Sequence, residues 1–122
     1  MSDPTSKLPV KLPKPYRYRY PFSHVYQFEI ALNGIEPKIW RCIQVPNLYS
    51  FWDLHCAITD SLGWLDYHLH VFRITHPRSG KAHKIGIPDN EGPVGEKPDL
   101  PGWRKSIATY FKKPGATCQY EY

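Results

Sequence analysis

The chain lacks the long apolar segments that mark membrane spans and secretory signals. Its apolar runs contain only a few residues each, whereas a membrane-spanning helix needs about 20 in succession. The first 20 residues are basic and rich in proline, and they contain no apolar stretch of the kind found in signal peptides. We therefore expect a cytoplasmic protein without membrane contact.

Cysteine is scarce, and no catalytic motif of high specificity occurs. The three cysteines form no C-x-x-C pair, which favours reduced thiols over a disulfide framework. Cys42 and Cys56 fall in strand and helix patterns, where we expect small buried or half-buried side chains. We predict no cofactor, and we favour a non-enzymatic role while leaving catalysis open.

The apolar and aromatic content is sufficient for one folded domain. The chain has 122 residues, 41% hydrophobic and 15% aromatic, which fits a single domain with a core. The net charge of +5 is concentrated in residues 1–21, where five basic residues face one acidic residue. We therefore predict a basic, proline-, tyrosine- and arginine-rich flexible arm over residues 1–21 and one α+β domain over residues 22–122.

The arm contains an alternation of aromatic and cationic side chains. Tyr16, Arg17, Tyr18 and Arg19 combine rings that can stack on bases with guanidinium groups that can contact phosphates. The same alternation also suits an edge strand with tyrosines on one face. The arm is thus predicted to contact nucleic acid or a protein partner, with an unpaired arm or an edge strand as the alternative.

A β-hairpin is predicted at the start of the domain. Residues 25–32 alternate apolar and polar side chains, Asn33-Gly34 supplies a turn signal, and residues 38–45 resume a strand pattern. On the second strand, Trp40 beside Arg41 can offer a cation–π surface to a partner. The alternative is a core tryptophan beside an amphipathic arginine.

A capped helix follows the hairpin. Ser50 is a preferred N-cap residue, Asp53 adds negative charge in the first turn, and Gly63 is a typical stop. The inward stripe consists of apolar residues at helical spacing: Phe51, Leu54, Ile58 and Leu62. His55 lies on the flank of this stripe and is expected to be solvated.

The remaining sequence predicts further strands and a second, shorter helix. Strand patterns occupy residues 69–75, 84–87 and 118–122, and a helix with Trp103 and Ile107 inward is expected within residues 103–111. Residues 88–102 form a long loop, which suggests a binding role or disorder. The predicted fold is α+β: a β-hairpin, a capped helix and further strands forming a mixed or antiparallel sheet, with helices packed on one face.

Two motifs resemble a known family. Ile39-Trp40-Arg41 and Gly63-Trp64-x-Asp66-x-His68-Leu69-His70-x-Phe72 are similar to segments of the plasmid pRiA-type ORF-three-like family, whose members are often labelled as passenger proteins of mobile insertion elements. The resemblance covers residues 25–75 well and residues 100–122 weakly. It implies a β-β-α-β fold with further strands, and no established reaction. Family members continue beyond the strand at 118–122, so we expect this chain to lack the C-terminal part of the domain.

The second motif also holds the candidate site. If the strand begins at Asp66, then Asp66, His68 and His70 share one face of the sheet, and they are ligand types suited to zinc or non-haem iron. The alternatives are a structural corner or a binding surface. The candidate ligand- or partner-binding residues are Trp40, Arg41, Trp64, Asp66, His68 and His70. We predict a binding module associated with plasmids or mobile elements, with a metal-assisted enzyme using Asp66, His68 and His70 as the alternative.

Overall fold

The computed structural model describes residues 24–66, 68–88 and 99–122. Within these ranges the chain has an α+β fold with a β-hairpin, a second sheet and two α-helices, which confirms the fold class predicted from the sequence. The predicted arm, with its candidate nucleic-acid contacts Tyr16, Arg17, Tyr18 and Arg19, lies outside the described residues. So does most of the predicted loop at 88–102.

The hairpin forms a sheet of its own. Strand β1 (Val25–Ala31) pairs antiparallel with β2 (Trp40–Pro46). Next to the turn, the Leu32 N–H donates to the Ile39 carbonyl oxygen at 3.0 Å. The alternation along β1 places Phe28 and Ile30 in the core, as the period of two predicts.

Helix α1 (Phe51–Leu62) begins and ends where the sequence predicts. The Asp53 N–H donates to Ser50 Oγ at 3.2 Å, and the Ser50 N–H donates to Asp53 Oδ2 at 2.9 Å. This reciprocal capping box satisfies donors that the first helical turn leaves unpaired. Gly63 ends the helix with φ 70°, a left-handed conformation that costs glycine little.

The second sheet has four strands. Strands β3 (Val71–Thr75), β4 (Ala82–Gly86), β5 (Leu100–Pro101) and β6 (Gln119–Glu121) are arranged in the order β5-β4-β3-β6. The central β3 is antiparallel to β4 and β6, and β5 runs parallel to β4. The sheet is therefore mixed, and β6 forms one of its edges.

Two short helical segments close one side of the domain. A 3-10 turn covers Gly102–Arg104, and α2 covers Ile107–Tyr110. The prediction that Trp103 points inward is wrong, since this tight turn leaves its side chain 52% exposed. Ile107 and Tyr110 are buried. Among the described residues, no helix has the length and apolarity needed to cross a membrane.

The core contains aromatic rings from both sheets and from the helical segments. Four phenylalanines are fully buried: Phe28, Phe51, Phe72 and Phe111. Phe28 meets Phe111 edge-on at a centroid distance of 4.9 Å, and Phe51 meets Phe72 at 5.1 Å. Because these contacts join β1, α1, β3 and the chain after α2, they fix how the two sheets are positioned around the helix.

Candidate functional site

A fully buried histidine on α1 is the centre of the candidate site. His55 Nδ1 lies 2.6 Å from the hydroxyl of Tyr120 on β6, and Nε2 lies 2.9 Å from Asp66 Oδ1. A carboxylate only accepts, so in the neutral ring Nε2–H donates to Asp66 and Nδ1 accepts from Tyr120. The prediction that His55 is solvated is wrong, because β6 and the chain after Gly63 cover that side of α1.

The exit from α1 brings Asp66 back to the helix. The Trp64 N–H donates to the Thr59 carbonyl oxygen at 2.9 Å, which turns the chain at Gly63. Asp66 then has φ 58°, a left-handed conformation that aspartate tolerates better than most residues. Its carboxylate thereby reaches His55, eleven residues earlier.

A second histidine is stacked on the first. The His70 ring lies parallel to the His55 ring, with centroids 3.5 Å apart and planes 7° from parallel. His70 is 5% exposed, and neither ring nitrogen has a hydrogen-bond partner within the described part of the chain. Burial lowers the pKa of His70 to about 4, with repulsion from His55 adding to the effect and the Asp66 carboxylate opposing it. His70 is therefore neutral at pH 7.

This neutral histidine makes stability depend on pH. The pKa of His70 is lower in the folded state than its ordinary value of 6.5, so the unfolded chain binds a proton more readily. The stabilisation is present above pH 6.5 and is lost as the pH falls to about 4, and we expect a loss of about 3 kcal/mol over that interval.

Urea unfolding from pH 7.5 to pH 4 measures this loss. His70→Phe keeps a ring beside His55 and removes the titrating group, so its unfolding free energy should change less with pH. Burial also lowers the pKa of His83, and the difference between wild type and variant isolates the contribution of His70. Identical pH dependence in the two proteins would contradict the prediction.

Trp64 and His68 belong to a separate aromatic contact around Tyr122. The Trp64 ring stacks on Tyr122 with centroids 4.7 Å apart and planes 10° from parallel. His68 is exposed and meets the edge of the same tyrosine at 5.2 Å. Tyr122 also approaches His55 at 6.3 Å, so this contact borders the histidine pair.

The proposed common face for Asp66, His68 and His70 does not exist. Strand β3 begins at Val71 rather than at Asp66, so the alternation of a strand does not apply to these positions. Asp66 and His70 both contact His55, whereas His68 contacts Tyr122. Within the described ranges, no group of three or more His, Cys, Asp or Glu side chains is arranged to hold a metal ion.

Trp40 and Arg41 lie on the hairpin. The alternative of a core tryptophan is wrong, since Trp40 is 51% exposed, with Lys38 Nζ 6.0 Å from its ring centroid. Arg41 Nε donates to the carbonyl oxygen of Ser61 in the last turn of α1 at 3.2 Å. A cation is favourable at that end of a helix, so Arg41 ties the hairpin to α1.

A cleft of about 1100 Å³ opens beside this site. It lies between the end of β1, the end of α1, the second half of β3 and the chain from Ala116 into β6. Its lining includes the cations Arg73, Lys112 and Lys113, and no Asp or Glu side chain belongs to the described lining residues. Trp64, Tyr120 and Tyr122 contribute aromatic surface. The cleft is thus positively charged and partly aromatic.

Tyr120 connects the cleft to the histidines. It lines the cleft, while its hydroxyl contacts His55. Burial, together with the charges of Asp66 and Tyr122, raises the pKa of Tyr120. The hydroxyl therefore stays protonated at pH 7. It donates a hydrogen bond to His55 Nδ1 when that ring is neutral.

The cysteines offer no activated nucleophile at the cleft. Cys118 lines it, and burial raises the pKa of its thiol to about 12, so the reactive thiolate is not populated at pH 7. Cys56 is half-buried, as predicted, but Cys42 is exposed, because its side of β2 faces outward. Cys42 and Cys56 are free thiols.

Comparisons with known proteins agree with the motifs in the sequence. The family model for plasmid pRiA4b ORF-3-like protein matches residues 24–122. A crystal structure of a protein of unknown function from Methanosarcina mazei Go1 matches with a TM-score of 0.71 and 37% sequence identity, covering 80% of this chain and 51% of that one. The chain therefore spans about half the length of that protein. No curated protein matches the chain. The matched range shows that the chain belongs to the plasmid pRiA4b ORF-3-like family.

Proposed function

We propose that the protein is a non-enzymatic binding module whose ligand site is the cleft between the hairpin and β6. The cleft itself is the observation that carries the proposal. Its volume of about 1100 Å³ lies just above the usual range for ligand sites, about 300–1,000 Å³. Arg73 is paired with Glu121, so Lys112 and Lys113 are the cations that give the cleft its preference for anionic groups. The association with plasmids or mobile elements belongs to the same proposal.

The arrangement of Asp66, His55 and Tyr120 favours binding over catalysis. Both nitrogens of His55 are occupied by these two partners, which leaves neither nitrogen directed at a bound molecule. The proton of Tyr120 is directed at His55 rather than into the cleft. These contacts instead hold β6 and the chain after α1 against the helix, so they keep one wall of the cleft in place.

Selection from unbiased libraries tests the proposal. The full chain is used to select from a random 12-residue peptide library and from a random 30-nucleotide single-stranded DNA library. Thr117→Trp is the informative variant, because Thr117 is exposed and lines the cleft, where a large ring takes up space. Thr109→Trp is the matched control, since Thr109 is exposed on α2 and does not line the cleft.

We expect at least one library to yield ligands whose affinity falls by about tenfold or more in Thr117→Trp, equivalent to ~1.4 kcal/mol, and stays unchanged in Thr109→Trp. Each variant is first checked for a wild-type circular dichroism spectrum. Failure of both libraries to yield ligands would contradict the binding role. Ligands that bind Thr117→Trp as tightly as wild type would show that the cleft is not the site.

The basic arm supports a second candidate, contact with nucleic acid. Tyr16, Arg17, Tyr18 and Arg19 interleave rings with cations, a composition suited to stacking on bases and contacting phosphates. DNA ligands that lose binding when residues 1–21 are deleted, and whose affinity falls steeply with salt, would support this role. DNA ligands that tolerate the deletion would argue against it.

A further inference from the structure

We propose that four basic side chains between β3 and α2 form a binding site for a doubly charged phosphate group, that of inorganic phosphate or a phosphate monoester. The four residues, which we call the turn cluster, are His76, Lys81, His83 and Lys105. None of them lines the cleft, so this site is separate from the binding role proposed above. The hydrogen bonds of the two histidines and the charges around them support the assignment.

The turn between β3 and β4 brings the two histidines together. The His76 N–H donates to the Lys81 carbonyl oxygen at 2.8 Å, which closes the turn, and His83 follows on β4. The ring centroids of His76 and His83 are 5.2 Å apart. Tyr110 on α2 meets both rings edge-on, at centroid distances of 5.2 Å and 5.7 Å. One small ligand can therefore reach both imidazoles.

Hydrogen bonds to Nδ1 leave Nε2 as a donor on each ring. His76 Nδ1 accepts from the N–H groups of Arg78 and Ser79 at 3.1 Å and 3.3 Å, so the proton of the neutral ring is on Nε2. His83 Nδ1 lies 2.8 Å from the Tyr110 hydroxyl. Burial raises the pKa of Tyr110, so the hydroxyl stays protonated and donates to Nδ1, which again places the ring proton on Nε2. Neither Nε2 has a hydrogen-bond partner within the described residues.

This hydrogen-bond pattern suits an anion better than a metal ion. A metal binds the lone pair of a neutral imidazole nitrogen, whereas Nε2 of each ring carries a proton. Moving that proton to Nδ1 of His76 would direct it at two N–H donors. An anionic oxygen accepts from Nε2–H without any such change, and the hydrogen bond becomes stronger when the ring is protonated.

Two lysines add positive charge around the rings. Lys81 is exposed and Lys105 is half-buried. Burial is the main cause that lowers the pKa of His83, and the charges of His76, Lys105 and Lys81 lower it further. Within the described ranges, no carboxylate forms an ion pair with a member of the turn cluster. The cluster therefore has an uncompensated positive potential, which a bound anion would offset.

The donors and charges of the turn cluster favour a phosphate monoester over a diester. Two Nε2–H groups and two ammonium groups can meet the three terminal oxygens of a monoester, whose charge at pH 7 is about −1.5 to −2. A diester has a single negative charge and two free oxygens, so it would leave part of the cluster unmatched. We therefore expect inorganic phosphate and small monoesters to bind more tightly than diesters or nucleic acid.

Titration of the full chain with inorganic phosphate tests the site, at pH 7 and at an ionic strength held constant with sodium chloride. The ring resonances of His76 and His83 are followed by NMR, and we expect saturable binding with a dissociation constant of about 1 mM or below. Repeating the pH titration with phosphate present should show a raised pKa for His83, because the anion stabilises the protonated ring. The ring signals of His68, which is exposed and outside the cluster, should not move.

Two double variants separate the turn cluster from the cleft. Lys81→Gln/Lys105→Gln removes two charges from the cluster and should weaken phosphate binding about tenfold or more. Lys112→Gln/Lys113→Gln makes the same change in net charge at exposed lysines of the cleft lining, and it should leave the affinity within about twofold. His83→Phe, which removes one Nε2–H donor, should also weaken binding about tenfold. Each variant is first checked for a wild-type circular dichroism spectrum.

Two model esters identify the class of ligand. We expect phenyl phosphate, a monoester, to bind about as tightly as inorganic phosphate, and dimethyl phosphate, a diester, to bind about tenfold more weakly. Binding of inorganic phosphate without phenyl phosphate would identify the free ion as the ligand. Equal binding of the diester, or tighter binding of an oligothymidine without a terminal phosphate, would contradict the assignment and indicate a phosphodiester site.

Three further results would overturn the proposal. The first is the absence of a saturable change at the two histidines up to about 10 mM phosphate. The second is equal weakening by the two lysine variants, which would indicate general attraction to a basic protein. The third is weakening by the variant of Lys112 and Lys113 alone, which would place the anion in the cleft.

Discussion

Phe51→Ala is expected to destabilise the protein by about 3–5 kcal/mol, the range for removing a large aromatic side chain from a packed core. Phe51 is fully buried and is the first residue of α1. Its ring lies 5.1 Å from Phe72 on β3 and 5.3 Å from Tyr110 on α2. The substitution therefore opens a cavity where the helix, the second sheet and the C-terminal segment meet.

Urea denaturation followed by circular dichroism measures this change as a lower transition midpoint. Whole-domain stabilities are about 5–15 kcal/mol, so the variant should be close to the limit of folding at 25 °C. Phe51→Leu, which keeps most of the apolar volume, should lose less. Trp103→Ala is the control, because this ring is 52% exposed and its removal should cost under about 1 kcal/mol. Equal losses at Phe51 and Trp103 would contradict the packing described for α1.

His55→Phe is expected to cost about 2–4 kcal/mol, because it removes two hydrogen bonds and leaves the half-buried Tyr120 hydroxyl without this partner. The replacement keeps a ring in contact with His70 but can neither accept from Tyr120 nor donate to Asp66. These contacts join α1 to β6 and to the chain after Gly63. Local stability should therefore fall most at β6, where we expect faster hydrogen exchange at Gln119–Glu121.

A second histidine–tyrosine pair provides the matched control. His83 Nδ1 lies 2.8 Å from the Tyr110 hydroxyl, so His83→Phe also removes a histidine–tyrosine contact. It should cost only about 1 kcal/mol and leave exchange at β6 unchanged. A double-mutant cycle of His55→Phe with Tyr120→Phe isolates the coupling between those two residues. Zero coupling, or equal exchange at β6 in both histidine variants, would show that His55 does not hold the strand.

The fold was predictable where its signals are local. Ser50, Asp53 and Gly63 lie within or next to the helix that they delimit, so capping and periodicity were enough to place α1. The alternation in β1 and the Asn33-Gly34 turn likewise defined the hairpin. In each case the residues that decide the structure are close neighbours in the sequence, and their preferences do not depend on the rest of the chain.

The candidate site was only partly predictable, because its contacts are distant in sequence. Asp66 and His70 were singled out from the sequence, but as members of a strand face rather than as partners of His55. The role of His55 depends on residues 11 and 65 positions away, and helical periodicity carries no information about them. Trp103 was misplaced because composition does not distinguish a 3-10 turn from the first turn of an α-helix.

The hydrogen bond between His55 and Tyr120 also affects when the nascent chain can complete its fold during synthesis. It joins residues 65 positions apart, and contacts of such separation form slowly compared with local ones. On the ribosome, the hairpin and α1 have emerged well before β6 is made. The cleft wall is complete only after β6 docks, so a nascent chain can contain a folded hairpin and helix without yet being able to recognise a ligand.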